Sequence, residues 1–523
     1  MLLNLKQASQ WASDYLNKKV TTANITYLIQ YGHIDTVLNN GSKLIPLDSL
    51  TQYYTQYCRE MRWKDELGDD LNWTLSFDKY KEAETTKHVH RLHPYKGKFI
   101  PQLVEYFLDL HTDNFKHDIY FQPGDIVLDP FCGSGTTLVQ ANELGIHAIG
   151  IDISTFNSFI SNAKVEDFDL MKMYDESKNI TSALKGNVSL SNIVEFETKL
   201  SDSLTQFNNE YFPISFKKRV RNGEINEKKY GSEKEIDFLD TYQRLIKEYE
   251  IDILMPTDSA RFMKQWYLPR VKAEIDLVYN KICNVENLSI RKALMLILSR
   301  TIRSCRATTH ADLGTLRKPV TTTYFCRKHG KICKPLFTIL SWWQRYCKDS
   351  IERWIEFKKL KTETFQYCIT GDSRTIDIQT MLKQQETQLA EIYNKHKITG
   401  IFTSPPYVGL INYHEQHAYA YDLFGFKRLD ELEIGPLFKG KGREARESYV
   451  HGVSEVFKNC KRFLAEDYNV FIVANDKFDL YPTIAEIAGM KIINQYKRPV
   501  INRTEKNREA AYSETIFHLK DNG

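Results

Sequence analysis

The chain has 523 residues, of which 42% are hydrophobic and 26% are charged, a composition that excludes intrinsic disorder and predicts a folded protein of roughly two to four domains. The formal net charge of +4 is too small to indicate an acidic partner by itself, so any such partner needs a local cluster of cations. The nine cysteines are dispersed in a chain with no secretory segment and no apolar run that could cross a membrane, and we therefore expect a cytoplasmic protein with reduced thiols.

Residues 1–60 predict a small unit made of two helices and a hairpin. The segment LKQASQWASDYLNKK has apolar residues at helical spacing, and TTANITYLIQ carries Ile25 and Leu28 on one face. The next segment, HIDTVLNNGSKLIPL, predicts a hairpin that turns at Asn40-Gly41. This order resembles the winged helix-turn-helix of excisionase-like DNA readers, so we predict a DNA-binding unit. A small helical packing module is the alternative.

Residues 85–155 predict the first half of a Rossmann-type sheet. DIVLDP predicts a strand, FCGSGTT a glycine loop, LVQANELG a helix and HAIGIDIS a second strand. Gly133 and Gly135 let the backbone approach a ligand at the N-terminus of the helix. The loop lacks the lysine of a P-loop and is not GxGxxG, which argues against a nucleoside triphosphate or a dinucleotide. Asp152, at the end of the second strand, is placed to accept the hydroxyls of a ribose.

Residues 156–365 differ in character and are far too many for a connecting loop. Runs such as RKALMLILSRTIRSC and FTILSWWQRYCKDSIERWIEF predict an inserted, mainly helical domain. Between Arg300 and Arg345 cations greatly outnumber acids and alternate with aromatic residues, a pattern that favours contact with phosphates. A solvated helix face is the alternative. The DNA-binding candidates in this strip are Arg303, Arg306, Arg327, Lys328 and Lys331.

The same region contains CRKHGKIC, which sets Cys326, His329 and Cys333 at a spacing compatible with zinc. No fourth ligand is evident beside them, although Cys305 and His310 are conceivable. We therefore assign no metal from the sequence.

Residues 366–523 predict the second half of the sheet, with strands in YCITGDS, ITGIFTSPPY, NVFIVAND and ETIFHLK, and helices around VSEVFKNCKRFLAE and TIAEIAG. In ITGIFTSPPY the strand must stop at Ser404, because prolines lack the N–H that continues a ladder. Tyr407 is thereby held just outside the carboxyl end of the strand, where open α/β sheets bind ligands. A strand-ending turn with a packing tyrosine is the alternative.

Together, DPFCGSGTT and TSPPY resemble the amino-DNA methyltransferases, which transfer methyl from S-adenosylmethionine to exocyclic amines of DNA bases. The similarity covers about residues 85–155 and 366–520 and includes HPYKGKFIPQL before the glycine loop. The Ser-Pro-Pro-Tyr form resembles the N4-cytosine branch, because N6-adenine enzymes more often have Asp or Asn where Ser404 stands. One feature departs from the commonly seen order of the family: the long segment lies between Asp152 and Asp372, instead of after the third or later strands.

The resemblance implies S-adenosylmethionine as cofactor, double-stranded DNA as partner and no membrane. The implied cofactor-binding residues are Lys98, Phe99, Asp129, Phe131, Cys132, Gly133, Ser134, Gly135, Asp152, Asp372 and Ser373. Lys98 and Phe99 would lie beside the methionine carboxylate, and the glycine loop would surround the methionine portion. Asp152 would contact the ribose, and Asp372 with Ser373 the adenine side.

The implied catalytic residues are Ser404, Pro405, Pro406 and Tyr407. An exocyclic amine is a poor nucleophile because its lone pair is delocalised into the ring. The Ser404 Oγ and the Pro405 carbonyl can accept its two N–H groups and direct the lone pair at the methyl carbon. Tyr407 can stack on a flipped base. A 5-methylcytosine enzyme needs a thiolate after the first proline, but position 406 is proline, and Cys132 is expected to pack in the loop.

We therefore predict an α/β protein: a Rossmann-like methyltransferase sheet with a large, mainly helical insertion and a small N-terminal helix-turn-helix unit. Its expected activity is N4-cytosine methylation of a short duplex sequence, as the modification enzyme paired with a cognate restriction endonuclease. The alternatives are an N6-adenine DNA methyltransferase, an RNA base methyltransferase and a non-catalytic DNA-binding regulator. The intact FCGSG and SPPY motifs argue against the regulator, and the N-terminal unit favours duplex DNA over RNA.

Overall fold

The computed structural model describes residues 1–39, 42–255, 261–310, 318–501 and 510–523. The strands are β1 (Leu2–Leu3), β2 (Val37–Asn39), β3 (Ser42–Pro46), β4 (Ile126–Asp129), β5 (His147–Asp152), β6 (Tyr324–Cys326), β7 (Lys331–Cys333), β8 (Gln366–Thr370), β9 (Ile398–Thr403), β10 (Leu464–Ala474), β11 (Met490–Pro499) and β12 (Ser513–Asp521). The helices before the predicted insert are α1 (Leu5–Leu16), α2 (Thr22–Gln30), α3 (Leu47–Leu67), α4 (Glu82–Thr85), α5 (Pro101–Leu108) and α6 (Thr136–Glu143).

The helices within it are α7 (Thr155–Val165), α8 (Leu170–Ser189), α9 (Ile193–Tyr211), α10 (Phe216–Arg221), α11 (Glu227–Glu248), α12 (Phe262–Gln265), α13 (Pro269–Cys283), α14 (Leu288–Ser304) and α15 (Leu340–Lys358). Those after it are α16 (Ile378–Gln385), α17 (Thr387–Lys395), α18 (Tyr413–Gln416), α19 (Ala418–Phe424), α20 (Arg443–Lys461) and α21 (Tyr481–Ile487). None of the helices in these described ranges is both long and apolar enough to cross a membrane.

The chain forms two compact units, one of residues 1–80 with 494–516 and the other of residues 81–493 with 517–523. In the first unit α1 and α2 precede the hairpin β2–β3, which confirms the predicted elements, and β1 adds a third strand in the order β1-β3-β2. The predicted turn at Asn40-Gly41 lies outside the described residues. The sequence did not predict α3, which buries Leu50 and Tyr54 one turn apart. That this unit binds DNA stays a prediction.

The second unit contains strands β10, β9, β4, β5 and β8 of a seven-stranded sheet with the order β11-β12-β10-β9-β4-β5-β8, and the pairs β10–β9, β9–β4, β4–β5 and β5–β8 are parallel. Every residue of β4 and β5 is buried, as expected of parallel strands covered by helices on both faces. The α/β, Rossmann-like fold is therefore confirmed. Because the strands are parallel, their carboxyl ends meet at one edge of the sheet.

The long segment between β5 and β8 is mainly helical, and α14 and α15 coincide with the two predicted runs. Its first helix, α7, belongs to the sheet, since Asn162 exchanges two hydrogen bonds with the backbone of Cys368 in β8, at 2.9 and 2.7 Å. Helix α7 is thus the crossover of the β5-α7-β8 unit. We propose that the insertion begins after Val165 and not at residue 156.

Candidate functional site

A pocket opens at the carboxyl edge of the sheet, where β4 has β5 on one side and β9 on the other. The chain leaves β4 in one direction toward β5 and β8 and later returns on the opposite side as β9, so this is the switch point of the sheet. The pocket encloses about 850 Å³ when the solvent in its open mouth is included. Four predicted segments meet in it: the stretch before α5, the glycine loop, GDS and SPPY.

The glycine loop after β4 has a shape that side chains would prevent. Gly133 has φ +53°, and a Cβ there would come within 3.1–3.2 Å of the Tyr95 ring. Gly135 has φ +74°, and its Cβ would meet Ser161 of α7 at 2.9 Å. The left-handed conformation and the close neighbours both require glycine. The loop therefore brings bare backbone to the pocket at the start of α6.

Asp152, at the end of β5, organises this loop. Its carboxylate accepts the Gly133 N–H at 2.8 Å, the Ser154 N–H at 2.8 Å and the Asn157 amide at 3.1 Å. Burial raises the pKa of Asp152 to about 6, although these donors favour the ionised form. The carboxylate faces the pocket, and its remaining lone pairs can accept further donors from a ligand.

Lys98 supplies a positive charge to the same pocket. Its Nζ donates to the His90 carbonyl at 2.7 Å, and within the described chain no carboxylate lies at ion-pair distance from it. Burial lowers the pKa of Lys98 to about 8, with the nearby Arg91 charge as a smaller cause. The neighbouring Phe99 packs edge-on against Phe402 of β9, with ring centroids 5.4 Å apart. A lysine without an acidic partner beside a glycine loop is suited to an anionic ligand group.

Asp129 has a different position from the one that the resemblance implied. Its two oxygens accept hydroxyl hydrogen bonds from Thr137 of α6 and Thr403 of β9, both at 2.6 Å, and it does not line the pocket. Burial raises the pKa of Asp129 to about 6. Asp129 therefore links the start of the glycine loop to the end of β9, directly before SPPY.

Strand β9 ends at Thr403, one residue before the predicted stop at Ser404 and two residues before the first proline. Ser404 is half-buried and lines the pocket with Pro406, while Pro405 is buried. Among the described residues, no group forms a hydrogen bond with the Ser404 hydroxyl. Tyr407 is half-buried outside the pocket lining and begins a turn in which its carbonyl accepts the Leu410 N–H at 3.3 Å.

The GDS segment after β8 lines the pocket with side chains that already have partners. Asp372 forms a two-bond contact with Arg374, at 2.9 and 2.6 Å. The Ser373 hydroxyl donates to the Pro130 carbonyl at 2.7 Å, which ties GDS to the glycine loop. Phe131, Cys132 and Ser134 also line the pocket, whereas Gly135 lies behind it.

Several pocket residues were not predicted: Tyr95, Gly97, Pro130, Thr136, Ile153, Ser154, Asn157, Tyr413, Leu432, Glu433 and Ile434. Tyr95 stacks on Tyr413, with ring centroids 6.0 Å apart, and accepts a hydrogen bond from the Asn157 amide at 3.2 Å. Glu433 is buried and bonded to His414. The sequence could have indicated Tyr95, because it lies three residues before Lys98 in the segment HPYKGKF. The loop around Glu433 contains no motif that could have indicated it.

The predicted DNA-binding residues separate in the structure. Arg306 is buried, with its guanidinium 5.9 Å from the Tyr419 ring, and this position argues against contact with phosphates. Arg303 is half-buried at the end of α14. Arg327, Lys328 and Lys331 are exposed on the hairpin β6–β7, outside the pocket. The phosphate-binding prediction therefore rests on the hairpin and not on one continuous strip.

The pocket residues fit S-adenosylmethionine. Two buried polar atoms that line the pocket, Ser134 Oγ and Asn157 Oδ1, have no hydrogen-bond partner among the described residues. Lys98 can pair with a carboxylate, and Asp152 can accept hydrogen bonds from hydroxyl groups. The lining therefore offers the positive charge, the negative charge and the hydrogen-bonding groups that an amino acid joined to a nucleoside needs.

Known proteins are similar to this chain both locally and over its length. A family model described as DNA methylase, the N6/N4 methyltransferase group, matches residues 39–161. The chain is 44% identical over 533 residues to Type II methyltransferase M.MjaII of Methanocaldococcus jannaschii, an alignment covering 99% of this chain and 97% of that protein. It is 28% identical over 141 residues to Type II methyltransferase M.MvaI of Kocuria varians, covering 25% of this chain and 30% of that protein. It is 35% identical over 95 residues to Type II methyltransferase M.BsoBI of Geobacillus stearothermophilus, covering 17% of each. No solved structure matches the chain.

Proposed function

The chain belongs to the amino-DNA methyltransferases and is a Type II enzyme of the restriction–modification kind, and from this premise we propose that it methylates the N4 amine of cytosine in a short duplex sequence. The cofactor is S-adenosylmethionine, which supplies an electrophilic methyl group. The partner in the cell is a restriction endonuclease that cuts the same unmethylated sequence.

The observation that carries this proposal is the position of Ser404. Its hydroxyl faces the pocket at the end of a buried strand, without a protein partner in the described chain, and the next two residues are prolines. The prolines fix φ and keep the turn rigid. The Ser404 Oγ and the Pro405 carbonyl can therefore hold the two N–H groups of an amine without prior rearrangement. The serine in place of an acid or amide supports cytosine over adenine through the family resemblance.

The fixed geometry of this site rests on contacts between the two motifs. Thr403, directly before Ser404, is bonded to Asp129 at 2.6 Å, and the loop that follows is held by the Gly409 N–H donating to the Gly435 carbonyl at 3.0 Å. The acceptors for the target amine thus keep a constant position relative to the glycine loop. Tyr407 stacks on the flipped base at the rim of the site.

The cysteine in the pocket lining does not support an alternative mechanism through a covalent base adduct. Cys132 is buried, with its thiol 3.7 Å from the Ser161 hydroxyl, and burial raises the pKa of that thiol well above its usual range. A thiol held in the neutral form is a poor nucleophile. Direct transfer to an amine needs no such nucleophile.

Identification of the methylated nucleoside tests the proposal directly. Duplex DNA of mixed sequence is incubated with the purified protein and S-adenosylmethionine, digested to nucleosides and analysed by mass spectrometry. We expect N4-methyldeoxycytidine. N6-methyldeoxyadenosine would leave the roles of Ser404 and Pro405 in place and move the substrate to adenine. A methyl group on cytosine C5 would contradict the mechanism.

We also predict that the exposed cations of the hairpin contact DNA phosphates. Replacing Arg327, Lys328 and Lys331 together by alanine should weaken binding to all duplex sequences. It should also lower the slope of log affinity against log salt by up to about 0.9 per lost contact. Fluorescence anisotropy between low and physiological salt measures both quantities.

The matched control replaces three exposed lysines in and directly after α15, Lys348, Lys358 and Lys359, and so makes the same change in net charge. This variant should keep the wild-type slope. If the hairpin variant also keeps the wild-type slope, its cations are exposed to solvent and do not contact phosphates. Residues 1–60 would then be the next candidates for phosphate contacts.

A further inference from the structure

Four potential metal ligands converge on the hairpin β6–β7, away from the pocket. The ligand atoms of His310, Cys326, His329 and Cys333 all lie within 4.8 Å of one another. In the hairpin, Cys326 pairs with Lys331, so Cys333 lies two residues farther along β7 and on the same face as Cys326. His329 comes from the connecting turn, and His310 follows α14 from outside the hairpin. The sequence offered Cys305 as another fourth ligand, but it does not belong to this group.

The separations within the group match the edges of a metal tetrahedron. With Zn–S near 2.3 Å and Zn–N near 2.05 Å, tetrahedral geometry places a sulfur and a nitrogen about 3.6 Å apart. The His329 Nδ1 lies 3.5 Å from the Cys326 Sγ and 3.7 Å from the Cys333 Sγ. The His310 Nδ1 lies 3.8 Å from the Cys326 Sγ. Three sulfur–nitrogen pairs among the four side chains thus have the spacing that a shared ion requires.

The position of His310 is supported by a contact that does not involve an ion. The Tyr324 hydroxyl lies 2.8 Å from the His310 Nδ1, and the His310 and His329 rings are 4.5 Å apart at an angle of 71°. An ion bound by Nδ1 would take the lone pair that faces the tyrosine hydroxyl, so metal binding would replace this hydrogen bond. The His310 ring thus already lies beside the hairpin, and only the partner of its Nδ1 would change.

The face of the hairpin that carries the two cysteines has little packing of its own. Each strand has three residues, and the buried cluster on this face consists of Tyr324, Cys326 and Cys333 with Val320 packed against it. The opposite face packs on helices, since Phe325 stacks on Phe212 with ring centroids 5.4 Å apart and Asn208 of α9 bonds both backbone groups of Ile332. Small elements of this kind commonly depend on a disulfide or a metal. Both cysteines are free thiols, which favours the metal.

We propose that His310, Cys326, His329 and Cys333 bind one zinc ion in a closed, structural Cys2His2 site. Two thiolates and two imidazoles in a tetrahedral arrangement are the ligand set that zinc prefers. With four protein ligands and no open position, and no member in the lining of the pocket, the ion has no part in methyl transfer. It joins the end of α14 to the hairpin and fixes the turn that carries Arg327 and Lys328.

Metal analysis of the full-length protein tests this site without any variant. The protein is expressed with zinc in the medium, purified without chelators and analysed by inductively coupled plasma mass spectrometry. We expect one zinc ion per chain. Reconstitution of the zinc-free protein with Co²⁺ should give the visible bands of tetrahedral cobalt and the near-ultraviolet thiolate-to-cobalt transition.

Variants then assign the ion to these residues. Cys326→Ser and His329→Ala should each lose the zinc and the cobalt bands, whereas Cys58→Ser and Cys283→Ser, which replace exposed cysteines elsewhere, should keep both. A wild-type protein without stoichiometric zinc and without cobalt bands would overturn the proposal. So would a disulfide between Cys326 and Cys333, detected by mass spectrometry of the peptides from a non-reducing digest.

Discussion

Replacing Ser404 by alanine should lower the rate of methyl transfer on the order of a hundredfold while leaving cofactor affinity unchanged. In the proposed mechanism the hydroxyl accepts one N–H of the target amine, and this bond strengthens as the nitrogen becomes tetrahedral. Loss of a single oriented hydrogen bond of this type costs about 2.7–4 kcal/mol in the barrier. The Ser404 hydroxyl has no partner among the described protein groups, so its removal leaves no buried group unsatisfied. The fold should therefore be preserved.

Single-turnover methylation with pre-bound cofactor measures this step apart from binding and product release. Ser404→Thr keeps a hydroxyl and should retain more activity than the alanine variant. Tyr407→Ala should weaken capture of the flipped base by about 1–3 kcal/mol, whereas Tyr407→Phe keeps the ring face and most of the activity. A wild-type single-turnover rate in Ser404→Ala would remove Ser404 from the chemical step.

The sequence predicted best those features of the site that depend on residues close together in the chain. A strand that ends in two prolines, a loop that needs two glycines and an acid at the end of the next strand each depend on neighbouring residues. Parallel pairing then brings them together, because Asp129 pairs with Gly150 and Leu128 with Ile401. The fold and the place of the pocket followed from that pattern and from the family resemblance.

What the sequence missed depends on side-chain positions set by tertiary packing. Arg306 and Arg327 look alike in a basic run, yet one packs on Tyr419 and the other is exposed. Asp129 resembles a ligand-binding acid, but its oxygens are occupied by Thr137 of the next helix and by Thr403 of the distant strand β9. His310 and Cys305 were both conceivable fourth ligands beside the cysteine hairpin, and only the fold distinguishes them. No periodicity or spacing contains that information.

Replacing Asp152 by alanine should weaken S-adenosylmethionine binding on the order of a hundredfold, since hydrogen bonds to a charged acceptor contribute about 1.5–3 kcal/mol each. Part of this loss will come from the glycine loop, because Gly133 and Ser154 also donate to this carboxylate. The direct part has a pH signature. If Asp152 contacts the ribose, the hydroxyls favour the ionised carboxylate, and we expect binding to lower the pKa of Asp152 from about 6. Wild-type affinity should therefore fall as pH falls below about 6, by at most about tenfold per pH unit.

A double-mutant comparison separates the direct contact from the support of the loop. Calorimetry is performed on wild-type protein and Asp152→Ala, each with S-adenosylmethionine and with its 2′,3′-dideoxy analogue. If the carboxylate binds the ribose, removing the hydroxyls should weaken binding to the wild type strongly and to the variant hardly at all. Circular dichroism confirms that the variant is folded. An equal loss for the analogue in both proteins would mean that Asp152 acts only through the loop, because the energy of a ribose contact must disappear when either of its two partners is removed.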